Sequence, residues 1–179
     1  QSVVAGVSGM TVANIQLDGS QSGEDVRFTS LQLQYTQAAG TGDPTNCRLY
    51  NGDTQLTDSA VNPTTGAPTA YTFGLDTPVT VAKGTIVTLA VKCDISSSVA
   101  DNSTFSWGVA SGDTISGTGI DSGTSVDASD NSNAGPTMTV TGAGSLTVTL
   151  DSSSPSYALA AAGTSDVTLG VLKLTATNE

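Results

Sequence analysis

The chain has 179 residues, a net charge of −11, five Lys plus Arg, and no His. So few cations argue against nucleic acid, whose phosphates must be met by Lys and Arg, and against an anionic membrane surface. No run approaches the ~20 apolar residues of a membrane-spanning helix, and without His no Ser-His-Asp or Cys-His centre can form.

Ser and Thr total 51, beside 20 Gly and only three Phe, one Trp and four Tyr. Such a composition favours short strands and turns. Hydrophobic residues make up 37 % and alternate along the chain, unlike those of a disordered segment. Gln1 stands where an initiator Met would, which reads as a removed leader or as a slice of a longer protein. Low Lys, abundant Ser and Thr, and acidity together predict an exported protein, extracellular or at the cell surface.

In chain order, Met10 and Val12 step by two, a three-step follows, and Ile15 and Leu17 step by two again. Strand side chains alternate faces with period two, so the three-step predicts a β-bulge. Val26 and Phe28, then Leu31, Leu33 and Tyr35, repeat this design. "CRLYNGDTQL" has the form strand, Asn-Gly turn, strand, and "NPTTGAP" is loop. Tyr71, Phe73 and Leu75, with Val79 and Val81, lead through "KGT" into Val87, Leu89, Val91 and Cys93. After "DISSSVADNST", Phe105, Trp107 and Val109 share a face. A Gly/Ser/Asp-rich stretch from Ser111 to Pro136 is broken by short pieces around Ile115 and Ile120. Met138 and Val140, then Leu146, Val148 and Leu150, make two more strands. With no sustained helical periodicity, the fold class predicted is an all-β antiparallel sandwich.

The last residues restate the first. With an offset of 157, Gly6 falls on Gly163, Met10 on Val167, Val12 on Leu169, Ile15 on Leu172 and Leu17 on Leu174. The expected organisation is therefore a sandwich repeat unit over 1–156, then an opening strand or strand-exchange segment over 157–179. Val167, Leu169, Leu172 and Leu174 form the predicted assembly seam, where Leu172 and Leu174 are covered by a neighbouring unit and Lys173 stays in water.

Cys47 shares a face with Leu49, and Cys93 with Leu89 and Val91, so both point inward. In an exported sandwich this predicts a buried Cys47–Cys93 disulfide; the competing reading is two free core cysteines. No nucleophile–base pair, GxSxG elbow or phosphate loop is present, so no enzyme is expected and no catalytic residue is assigned. The cofactor expectation is none, apart from calcium. Hard cations take clustered oxygen ligands, and Glu24, Asp25, Asp121, Asp127 and Asp130 supply carboxylates in loops. The competing reading is that such residues are good turn formers. "NST" makes Asn102 a glycosylation sequon.

Taken together, "SGEDVRFTSLQLQYT", "CRLYNGDTQL", "VTVAKGTIVTLAVKCDIS" and "LDSSSPSYALAAAGTSDVTLGVLKLTATNE" resemble the tandem Ig-like repeats of large secreted bacterial surface proteins. Such proteins are S-layer-like, fibrous or adhesive. The resemblance covers nearly the whole chain. Cys47 and Cys93 stand where that pattern has Val- and Ala-like residues. It implies a structural, self-associating subunit of a filament, sheath or surface layer whose partners are copies of itself. The alternative is an adhesin or carbohydrate-binding module, which would need exposed aromatics such as Tyr50, Tyr71, Tyr157 or Trp107.

Overall fold

The structure, a computed structural model, describes residues 1–64, 66, 68–109, 115–128, 134–157 and 159–177. Two compact units divide it, Gln1–Gly142 and Ala143–Glu179. Every regular element among the described residues is a strand, so the fold is all-β.

In the first unit, β1 (Ser2–Val4), β3 (Val26–Ala39), β6 (Thr69–Val81), β8 (Thr104–Gly108), β9 (Ser116–Gly119), β10 (Ser125–Asp127) and β11 (Met138–Thr141) make one sheet. The long β3 is its spine, with β6 along one edge and β9 then β8 along the other. A second sheet runs in the order β2 (Met10–Asp18), β7 (Ile86–Asp94), β4 (Thr45–Asn51), β5 (Thr54–Gln55). The inner faces of the two sheets form one core. Ile15, Leu17, Leu49, Leu89 and Val91 come from one side, and Val26, Phe28, Leu31, Leu33 and Phe73 from the other.

Both predicted bulges are present. The β3–β6 register shifts between Phe28 and Ser30, and the β2–β7 register between Thr11 and Ala13. Each shift lets the apolar residues beyond it return to the core face. The turn in "YNGDT" differs in detail: Asn51 pairs with Thr54, so Gly52-Asp53 is the loop and Gly52 takes φ 59° at its first position. At the centre, Trp107 is fully buried among Tyr35, Tyr71 and Phe73, with ring centroids 5.2, 5.8 and 5.4 Å away. Aromatic pairs of this kind contribute ~0.5–1.5 kcal/mol each beyond area burial.

Cys47 and Cys93 are disulfide-bonded, with no side-chain exposure, across the neighbouring strands β4 and β7. Inward alternation puts both on the core face, and the pairing of β4 with β7 brings them together.

The second unit is a hairpin-like pair, β12 (Ser145–Leu150) antiparallel to β13 (Leu172–Thr177). Leu146 faces Ala176, Val148 faces Leu174 and Leu150 faces Leu172. Residues directly opposite share a face, so one face is wholly apolar and the other carries Ser, Thr and Lys173. The apolar face is open: Leu146, Val148, Leu150, Leu172 and Leu174 are 63, 55, 71, 62 and 63 % exposed.

The compact units meet between Gly142 and Ala143, within the 1–156 span expected for the repeat unit. Alternation marks Leu146, Val148 and Leu150 as a strand but does not name its partner, and the partner is β13.

Candidate assembly site

The repeated segment can be followed residue by residue in both places. Gly6 has φ 89° and Gly163 has φ 88°, a left-handed turn that Gly adopts without a Cβ penalty. Beyond it the copies diverge. β2 runs unbroken from Met10 to Asp18, whereas its counterpart enters a strand only at Leu172. Val167 is half-buried and Leu169 fully open, and neither lies in a strand. The predicted seam thus appears as Leu172 and Leu174 on an open sheet face. Sequence reasoning missed their companions Leu146, Val148 and Leu150, which it had assigned to the first sandwich.

β2 is an edge strand, paired only with β7 among the described residues. Along it lies a cleft of about 770 Å³ between the two sheets. Residues 15–20 form one wall, and Val26, Phe28, Ile115 and Val126 are among those opposite. The side chains of Ile15 and Leu17 already turn inward, being 7 % and 6 % exposed. Asp18, Glu24 and Asp127 add negative charge to the lining.

Glu24 and the Asp121 loop, which the calcium reading took from separate parts of the chain, do come together. The backbone N–H groups of Asp121 and Ser122 each donate to Glu24 Oε2 at 2.8 Å. The Ser122 side chain and backbone, then the Asp121 backbone, hold the Glu24 carboxyl below its ordinary range. A Cβ on Gly119 would lie 2.5 Å from Glu24 Oε1, so glycine is what lets the carboxylate lie there. Asp25 Oδ1 accepts from Lys83 N at 2.8 Å, and the Asp25 carbonyl accepts from Ile120 N. One oxygen of each carboxyl is thus met by backbone amides. Asp127 is exposed, and Asp130 lies outside the described residues. Among the described residues, no three His, Cys, Asp or Glu gather to hold a metal ion.

Another carboxylate ties strands together. Asp94 accepts from Gly9 N at 2.7 Å and from Asn46 Nδ2 at 2.9 Å. The Asn46 side chain, then the Gly9 backbone, keeps its carboxyl below the ordinary value. Asn102 is exposed in a turn with φ 62°.

The aromatics do not gather into a sugar-binding platform. Trp107 is buried, Tyr71 packs on it, and Tyr50 lies beneath Lys92 Nζ, 4.5 Å from its ring centroid. Tyr157 alone among these four is open, at 76 %. Among the described residues, no helix is long and apolar enough to cross a membrane.

A scan against protein-family models, a search of curated proteins and a search of solved structures each return no match.

Proposed function

We propose that this chain is a structural, self-associating extracellular protein, a subunit or repeat of a filament, sheath or surface layer with Ig-like sandwich units. One observation carries the reading: a two-stranded sheet whose entire apolar face is open to solvent, built on a restatement of a strand that is buried in the sandwich. A pair of strands is marginal alone and gains stability by covering its apolar face. Burying Val148 or Leu150 would contribute ~1.5–3 kcal/mol each. The disulfide is compatible with an oxidising compartment, and the chain's partners in this reading are its own copies.

The test is negative-stain imaging and sedimentation of the native chain beside a Val148→Asp, Leu150→Asp variant. Ordered polymers are expected for the native chain and monodisperse particles for the variant, with the sandwich still folded. Equal assembly by both would rule the reading out.

A further inference from the structure

The proposed function leaves open which strand joins which. From the pairing of β12 with β13 we infer that β12 of a second copy occupies the cleft beside β2, adding a strand to its free edge. This rests on the self-association reading and names its joint.

The warrant is an interface already formed within the chain. β12 pairs with β13, placing Thr149 opposite Lys173, Val148 opposite Leu174 and Leu150 opposite Leu172. The 157-residue offset carries those partners onto Gln16, Leu17 and Ile15. These residues belong to the stretch of β2 that walls the cleft. The edge of β2 facing away from β7 has no partner strand among the described residues, and an open edge is a template for another strand. In the transferred register Val148 and Leu150 share a face with Leu17 and Ile15, whose side chains already point into the core. They would thus enter the cleft towards Phe28 and Val126. Thr149 would share the outer, wet face with Gln16.

Charge fits as well. The cleft's charged lining is acidic, through Asp18, Glu24 and Asp127, and Ser145–Leu150 carries no charge at all. In a chain of net charge −11, an uncharged strand can approach this edge without adding to the repulsion there. The β12–β13 pair has no second layer within its own unit, whereas β2 offers the same pairing pattern and an apolar cleft. Exchange from β13 to a neighbour's β2 therefore keeps the ladder and adds burial. Because donor and acceptor differ, the joint is heterologous and repeats head to tail, giving an open filament where its rotation does not close a ring.

Two chains, each with one introduced cysteine beside the native Cys47–Cys93 disulfide, test the register. Gln16→Cys in one and Thr149→Cys in the other change exposed residues. Their Cβ atoms would lie about 4.5–5.5 Å apart if directly opposite, within reach of a disulfide. Mixing and oxidising the intact chains is expected to give at least tenfold more heterodimer than mixing Gln16→Cys with Ser145→Cys, which is displaced by about 13 Å along the strand. Adding Val148→Asp to the Thr149→Cys chain is expected to abolish that product. Assemblies that persist with no preference for the 16–149 bond would overturn this joint and leave the proposed function standing. A native chain that stays monomeric at millimolar concentration would overturn both.

Discussion

β2 and β13 carry the same alternation of apolar residues, yet Ile15 and Leu17 are buried while Leu172 and Leu174 lie open. The difference is in what stands behind each strand. β2 has β7 beside it and the β3 sheet across the core, whereas β13, among the described residues of its own unit, pairs only with β12. Identical strand chemistry therefore says which face will be dry, and the surrounding layers decide whether it is dry within one chain. The second region supplies a finished apolar face without the layer to cover it.

The comparison breaks most sharply under charge insertion. Leu17→Asp is expected to cost about 4 kcal/mol or more, because a carboxylate would lose water without a partner, and most of the first unit should unfold. Leu174→Asp, at the equivalent place, should leave the sandwich within ~0.5 kcal/mol of native. Paired chemical-denaturation curves monitored by Trp107 fluorescence decide this; equal losses would mean that the two regions are not distinct.

The disulfide should divide the regions next. Replacing Cys47 and Cys93 by Ala removes a cross-link between residues 46 positions apart. The chain-entropy account gives about 3–4 kcal/mol for such a loop. The melting temperature of the sandwich should fall, and hydrogen exchange in β12 and β13 should not change.

Acid should act on the first unit in a milder way. The depressed Asp94 and Glu24 carboxyls contribute stability that is present above their ordinary values, 3.8 and 4.5. That contribution is lost as pH falls through the depressed folded values. Asp94→Asn should weaken the sandwich at pH 7 and flatten its stability profile below about pH 4.5. Unchanged profiles would remove Asp94 from the tie between Gly9 and Asn46.

The smallest effect is expected at Glu24. Glu24→Gln should speed amide exchange at Asp121 and Ser122 severalfold, with little change in global stability. Exchange unaffected by the substitution would show that the carboxylate does not order that loop.

Much of this was legible in the residues. The three-steps after Val12 and Phe28 announced the bulges, inward alternation put both cysteines on the core face, and the 157-residue echo marked Leu172 and Leu174 as alternating strand positions, though Val167 and Leu169 lie in no strand. Partner choice was not legible, because period-two alternation specifies a face and leaves the neighbour open. Leu146, Val148 and Leu150 were for that reason assigned to the sandwich. Nor could the sequence tell which carboxylates accept backbone amides, as Glu24 does, and which do not. That distinction depends on Gly119 and Ser122 arriving from far along the chain.

The most direct measurement of the central claim is amide hydrogen exchange in Ser145–Leu150 as a function of chain concentration. The account predicts weak protection in dilute solution, because an uncovered strand pair opens readily, rising by at least tenfold as copies associate, while β3 and β7 stay protected throughout. Protection of Ser145–Leu150 that is strong and independent of concentration, or weak even in assembled material, would contradict it.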